Sequence, residues 1–496
     1  MANLTFKINI VQKKYTLFLF SLLFCFHAIG QIKTFRKVFS QGLYTFGRSI
    51  VVDSDGSNLI TGSVNLGGTF DSDLYLLKTD SNGNVVWNKT YIKPGIDWGI
   101  CLKRIPSDGY IISGYTSRGA GGYDVLLMKI DSLGNEVWSK TFGGSDWDFG
   151  NSVDILPDGG FMVAGETYSY GQGNADMYLI RTNSSGDTLW TKTMGYTGED
   201  RASCVKTTTD GHIVITGCIS DTVSHYKRIS LMKLDVQGVQ IWNKLYGYTL
   251  DNEGMTVLQT ANGGFIIGGY TSKADSTQKN AYVMRTDAQG DSLWSQYYQW
   301  NHDDAIHDII ENADGTLVYT GVMEGFGNSP DDMLIFKSDA AGNWLVGGSF
   351  GGASTEEGFG VKATPDGGFI AVGSTNSYGS SISSIYLVKT NQLLYAKDSI
   401  IYSTTDIKTY QKESPCMVYP NPFKEKTNIV LTEKSTNIHL ELYDLMGRNL
   451  PVYWSRFVSQ EKTILELYRE DLPPGVYFYN IIVDNQIAQR GKIIAE

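Results

Sequence analysis

Between residues 44 and 390 apolar and polar positions alternate in short runs, and no stretch carries the 3.6-residue periodicity of a helix. Residues 151–193 illustrate the pattern. NSVDIL, FMVAGET, MYLIRT and TLWTKT each read as a strand. The first pair is joined by PDGG (157–160), a glycine-dependent tight turn, and the second by NSSG (183–186), which matches DSNG (80–83), DSLG (131–134) and DAQG (287–290). An Asp or Asn that caps its own turn, followed by Gly, predicts a four-residue hairpin loop.

The unit repeats. Glycines at the same place in the second strand fall at Gly62, Gly114, Gly165, Gly217, Gly269, Gly321 and Gly373, at intervals of 52 residues with a single interval of 51. A basic residue follows the same clock at Lys78, Lys129, Arg181, Lys233, Arg285, Lys337 and Lys389. Four antiparallel strands per unit predict an all-β fold, a seven-bladed β-propeller over residues 31–391; the coils of a β-solenoid are shorter and lack four-strand meanders. The fourth strand holds Trp87, Trp138, Trp190, Trp242 and Trp294 in one register, with Val346 in the sixth unit. Such regular recurrence predicts indoles wedged between neighbouring blades rather than a stacking surface. The seventh unit stops after its third strand, and TFRKVFSQGLYTFGRSI (34–50) parallels VWSKTFGGSDWDFGNSV (137–153). The N-terminal segment is therefore expected to supply the missing outer strand and close the ring, removing an exposed edge.

Composition fits this picture, with 55 Gly but only 11 Pro and 12% aromatic residues. The net charge of −11, with no Lys/Arg block, argues against nucleic acid or an anionic membrane as partner. Lys13 and Lys14 precede the apolar run YTLFLFSLLFCFHAI (15–29) and the small-x-small site Ala28-Ile29-Gly30, which predicts a cleaved signal peptide over residues 1–30. Phe24 stands before Cys25 where a lipoprotein signal needs a small residue. The remaining Cys101, Cys204, Cys218 and Cys416 have no metal-binding spacing, and Cys204 and Cys218 flank one turn, either bonded or as staggered free thiols.

After Asn391 the register is lost, and residues 392–414 read as a linker. Residues 415–496 carry short alternating strands of a small β-sandwich. Their motifs appear in a fixed order: Tyr419-Pro420-Asn421-Pro422, a Tyr-Asp-x-x-Gly-Arg hairpin ending in Gly447 and Arg448, a strand with Gly475 and Tyr477, and a terminal strand with Lys492. This segment resembles the type A C-terminal sorting domain of the type IX secretion system. The resemblance implies export across the outer membrane of a Bacteroidetes-type bacterium, the secretion machinery as partner, removal of the domain, and release or surface attachment of the remainder. Residues 33–391 likewise resemble bacterial β-propeller repeats with a D-x-Y-L-x-K-x-D-x-x-G-x-x-x-W signature. Through Asp80, Gly83, Trp87 and their copies they also resemble the tryptophan-docking repeats of quinoprotein-like propellers.

Chemistry is sparse. GGSFG (347–351) has the letters of a serine-hydrolase elbow but places Ser349 inside an outer strand, and DSDG (53–56) lacks the downstream acid of a calcium loop. HDDAIH (302–307) offers His302, Asp304 and His307 as candidate metal ligands. Asp304 shares its register with Asp97, Asp148, Asp200 and Glu356, acids whose simpler task is to cap the turn entering the first strand. No cofactor is implied. The connections between strands two and three, and between one unit and the next, are long and variable, and in an up-and-down blade both emerge on one face. That face carries Trp98, Trp147, Tyr168, Tyr170, Tyr298, Trp300 and Tyr378, the candidate binding residues. The expected function is a secreted or cell-surface module that binds glycan or protein there. The alternatives are a propeller enzyme (a polysaccharide lyase or hydrolase, or a quinoprotein) and a non-catalytic assembly scaffold.

Overall fold

The computed structural model describes residues 32–404 and 417–496, apart from 68–71, 94, 107, 223–225, 248–249, 273–277, 300–302, 324–330, 380, 432–437, 445–447, 459–462, 470–471 and 484–485. The expected signal peptide and Cys416 lie outside the described residues. The chain divides into two compact units, Met1–Thr405 and Asp406–Glu496.

The described residues of the first unit form six four-stranded antiparallel sheets and one five-stranded sheet. Each four-stranded sheet is built from consecutive strands, as in Asp148–Ile155, Phe161–Thr167, Asp176–Thr182 and Thr188–Met194. Their second and third strands are buried almost throughout because neighbouring sheets cover both faces. The first strands pack side by side: Tyr44–Val52 on Asp97–Arg104, then Asp148–Ile155, Arg201–Thr207, Asn252–Gln259, Ala305–Glu311 and Glu356–Ala363, which returns to Tyr44–Val52. Radially arranged four-stranded meanders with their first strands innermost are a β-propeller.

The five-stranded sheet joins the chain ends of this unit. Phe35–Ser40 pairs antiparallel with Ser384–Thr390, Phe35 opposite Lys389 and Phe39 opposite Ile385. The sequence reading treats residues 392–414 as linker throughout; the structure instead makes Ile400–Thr404 a strand, parallel to Phe35–Ser40 with Arg36 opposite Ile400. The reason is that the N-terminal strand otherwise ends the sheet with unpaired backbone groups, and the β-branched IIYST segment covers them.

The tryptophan register explains how adjacent sheets grip one another. The hairpin glycines Gly83, Gly134, Gly186, Gly238, Gly290 and Gly342 all have φ between +72° and +81°, a conformation that favours glycine. A Cβ on Gly134, Gly186, Gly238, Gly290 or Gly342 would fall 2.7–3.0 Å from the indole of Trp87, Trp138, Trp190, Trp242 or Trp294 in the preceding sheet. On Gly83 it would fall 2.7 Å from the ring of Phe35. One interface inverts the rule. Leu394, at φ +58°, occupies the glycine position of the last sheet, and the register opposite holds Val346 instead of Trp. The two pack in one cluster with Leu394 95% buried, so the large residue has changed sides.

The clocked basic residues are structural as well. Lys129, Lys233 and Lys389 pair with the turn aspartates Asp108, Asp210 and Asp366 at 2.6, 2.7 and 2.7 Å, and Arg181 pairs with Asp158. In the fifth sheet the turn carries Asn262, and Arg285 turns to Glu311 of the next sheet at 3.3 Å.

The second unit has two four-stranded sheets around Phe423, Ile429, Leu440, Leu465, Tyr479, Ile481 and Ile493. The sorting-motif residues hold it together. Asn421 accepts a hydrogen bond from Ile494 N (2.8 Å) and donates to Lys492 O (3.1 Å), which ties the Tyr-Pro-Asn-Pro segment to the terminal strand. Arg448 donates to Asp444 (2.7 Å), and the Tyr477 hydroxyl donates to Pro473 O (2.7 Å) behind the strand opened by Gly475. Tyr419, at the end of Met417–Tyr419, is half exposed, and Gly447 lies outside the described residues.

Candidate functional site

Every first strand contains a β-bulge at the same repeat position. The register slips between Gly47 and Ser49, Gly99 and Cys101, Gly150 and Ser152, Ala202 and Cys204, Gly254 and Thr256, Ile306 and Asp308, and Gly358 and Gly360. The bulge accounts for the glycine clock in the second strand. A Cβ on any of those seven glycines would sit 1.7–1.9 Å from a carbonyl oxygen just before the slip. A bulge leaves one residue unpaired and re-aims its side chain. Those residues are Arg48, Ile100, Asn151, Ser203, Met255, His307 and Phe359, and all line a single cavity of about 500 Å³. Seven strands with the same bulge thus present seven different side chains to one space. The sequence reading missed this ring; the missed signal was the variable residue that follows the near-constant small one.

The cavity wall is charged but largely self-neutralised. Arg201 lies 2.6 Å from Glu166 and 3.7 Å from Glu253, which also accepts a hydrogen bond from the Ser203 hydroxyl (2.8 Å). Burial opposes the Arg201 charge, but the two carboxylates outweigh it and raise its pKa. Lys362 pairs with Asp308 at 2.5 Å and Lys103 with Asp154 at 3.4 Å. Burial and the neighbouring Lys206 lower the Lys103 pKa. His307 stacks on Phe359 (centroids 5.2 Å apart, planes at 6°), its Nδ1 is 2.8 Å from the Gly358 carbonyl oxygen, and burial lowers its pKa. Arg48 differs from the other cations. Its guanidinium carbon is 4.1 Å from the Phe359 ring centroid and 5.5 Å from that of Trp98, while its Nε is buried with no hydrogen-bond partner among the described residues.

From this cavity a run of aromatic rings leads outward. Phe46 meets Trp98 at 5.1 Å, Trp98 stacks on Tyr115 at 6.0 Å, and Tyr115 contacts both Tyr123 (5.3 Å) and Phe149 (5.1 Å). Tyr123 then meets Trp147 (5.9 Å), and Trp147 meets Tyr168 (6.2 Å). Trp147 is 51% exposed at the outer end. The arc spans the first three sheets and gathers three of the expected binding residues: Trp98, Trp147 and Tyr168.

The others lie apart. The Tyr170 hydroxyl donates to Gly143 O (2.7 Å) beside Tyr178. Tyr298 ends an outer strand, packs on Phe336 at 4.7 Å and donates to Gly342 O (2.6 Å), a position between sheets. Tyr378 donates to Gly351 O and sits beside Arg36 and Tyr386. Trp300 and His302 lie outside the described residues. Asp304 is fully buried, as are Asp148 and Glu356 at the same register. Asp148 accepts from Gly144 N (2.8 Å) and Ser169 Oγ (2.7 Å), and Glu356 from Gly352 N (2.8 Å) and Thr375 Oγ1 (2.6 Å). These acids fasten the long loops to the first strands. Among the described residues no group of three or more His, Cys, Asp or Glu side chains is placed to hold a metal ion. Cys204 lies opposite Thr216, and Cys218 opposite Arg201, so the two thiols are offset and free.

Over 110 residues the chain is 27% identical to the regulatory protein FlaEY of Caulobacter vibrioides, a stretch covering 20% of this chain and only 12% of that relative. Among solved structures, a fungal alcohol oxidase of the AA5 family in complex with copper is similar over 92% of this chain and 98% of its own (12% identity, TM-score 0.45). PorZ, a surface component of the type IX secretion system of Porphyromonas gingivalis, is similar over 93% of this chain and 70% of its own (11%, 0.36). The β-propeller domain of the trilobed protease from Pyrococcus furiosus covers 74% and 98% (10%, 0.38). Residues 417–496 match the secretion system C-terminal sorting domain. That segment is a type IX secretion sorting domain, and it indicates a propeller protein that is secreted or carried to the cell surface and engages that machinery on the way.

Proposed function

We propose that the chain is a seven-bladed propeller of a Bacteroidetes-type bacterium, exported with the help of an N-terminal signal peptide and a removable sorting domain, that binds a glycan or protein partner on its long-loop face. The cyclic packing of the first strands and the contact of Phe35 with Gly83 support the seven-bladed ring. The observation that carries the binding reading is the aromatic arc from Trp98 through Tyr115, Tyr123 and Phe149 to Trp147 and Tyr168. Partly exposed rings held on a rigid sheet scaffold, with Trp147 the most open of them, provide contact area at little ordering cost. Aromatics that only seal blades pack as Trp190 does, with its Nε1 bound to Val236 O (3.1 Å). The reading is tested on the mature protein with glycan and surface-protein arrays followed by titration. Trp147→Ala is expected to weaken the captured ligand by about tenfold or more with little change in melting temperature. Trp190→Ala is expected to lower stability and leave affinity unchanged. Affinity untouched by Trp147→Ala would show that the site is elsewhere.

A further inference from the structure

We infer that the inner end of the aromatic arc is a carboxylate-binding subsite built on Arg48, so that the ligand is a glycan ending in an acidic sugar. This rests on the long-loop binding reading and narrows it. Arg48 is a bulge residue, so its backbone is the local irregularity that turns the side chain into the cavity rather than into the sheet. Phe359 from the preceding sheet and Trp98 from the following one both lie within 6 Å of the guanidinium and hold it by cation–π contact. Trp98 is also a ring of the arc, so a molecule stacked along Tyr115 and Trp98 ends at Arg48.

The charges around it are unequal in a way that selects this residue. Arg201, Lys362 and Lys103 each have a carboxylate within 4 Å, and Lys206 lies near Asp154 and Asp308. Among the described residues Arg48 has no such ion pair and its buried Nε has no hydrogen-bond partner; Glu357 attracts it from further away. With Nε closed off from solvent, the two terminal nitrogens of the guanidinium are the pair that matches a planar carboxylate with two parallel hydrogen bonds. The other cations of the wall already have carboxylate neighbours, which leaves Arg48 to meet one anionic group and nothing to hold a long polyanion, while the arc itself carries no ionised group. A single carboxylate at the end of an otherwise uncharged, flat-faced chain satisfies both conditions. An oligosaccharide supplies this form, since the C–H faces of pyranose rings lie on aromatic rings.

The experiment is calorimetric titration of the mature protein with four probes: a tetrasaccharide bearing one terminal uronic acid, its methyl ester, the corresponding neutral tetrasaccharide, and a tetrapeptide with a free C-terminal carboxylate. The acid is expected to bind about tenfold more tightly than its ester, the scale of one bidentate charge-assisted contact. Arg48→Gln should abolish that preference, and Arg48→Lys, which keeps the cation in a fold under little strain, should retain only part of it. Trp147→Ala should weaken acid and ester alike. Equal affinity for acid and ester, a preference that survives Arg48→Gln, or absence of binding by all four probes overturns the subsite. Binding of the peptide alone overturns its assignment to a sugar. Capture of neutral and acidic sugars alike, lost in Trp147→Ala, overturns the subsite and leaves the aromatic binding face standing.

Discussion

The interface between the sixth and seventh sheets offers a test of how the ring is held together. Five interfaces set a Trp against a glycine, and this one sets Val346 against Leu394. Leu394→Gly alone removes a side chain that is 95% buried, at a cost of about 2–5 kcal/mol for the lost packing and cavity. Part of that is returned, about 1–2 kcal/mol, because Leu394 sits at φ +58° where an L-residue is strained. Val346→Trp alone forces an indole against Leu394, an overpacking cost of about 1–3 kcal/mol. Each single variant should therefore unfold earlier than the parent. The double variant rebuilds the Trp–glycine contact of five other interfaces and should recover about half of the summed loss, with a favourable coupling of about 2 kcal/mol, inside the range for residues in direct contact. The assay is urea unfolding of the mature protein, followed by tryptophan fluorescence and far-UV circular dichroism together. If the double variant is as unstable as the two single effects added, the indole–glycine contact is not what sets this interface.

Two further outcomes follow from the same architecture. Deleting residues 31–41 removes Phe35 and the strand between Ser384–Thr390 and Ile400–Thr404, so calorimetry should record a broadened, earlier transition and light scattering should record aggregation through the bared edges; an unchanged melting temperature would refute closure by this strand. Truncation of residues 415–496 should leave the propeller in the periplasm, as read by cell fractionation, and its recovery on the cell surface would refute the role given to the sorting domain.

The propeller was legible because repetition multiplies a weak strand signal. A single Asp-Gly turn says little, but seven Asp-Gly or Asn-Gly turns on one clock define sheets, hairpins and the fourth-strand indoles together. Closure was legible for the same reason, since Phe35 precedes Gly56 by the same 21 residues that separate Trp138 from Gly159. The strand Ile400–Thr404 was not legible, because it belongs to no repeat and forms only where the N-terminal strand leaves an edge to cover. Among the expected binding aromatics, sequence position could not separate Trp147, which points outward, from Tyr298, which lies between sheets. Both sit near loops, and only the packing of Phe336 and Gly342 on Tyr298 distinguishes them.

The channel ring eluded the sequence for a more instructive reason. A search for repeats rewards positions that stay the same, and the bulged residues are the ones that change. Ile50, Leu102, Val153, Val205, Val257, Ile309 and Val361, two residues further along the same strands, are all aliphatic and buried, because each must fill an equivalent space between sheets. Arg48, Ile100, Asn151, Ser203, Met255, His307 and Phe359 meet no such demand, since the bulge lifts them out of the ladder and into a cavity where the seven share one volume. Their identities are coupled across the channel rather than along the chain: Phe359 serves both as the platform for Arg48 and as the stacking partner of His307. Packing between blades therefore constrains one set of positions to near-identity and leaves an interleaved set free to diverge. In this ring of repeats, side-chain diversity is concentrated in that second set, and a backbone irregularity shared by all seven strands is what frees it.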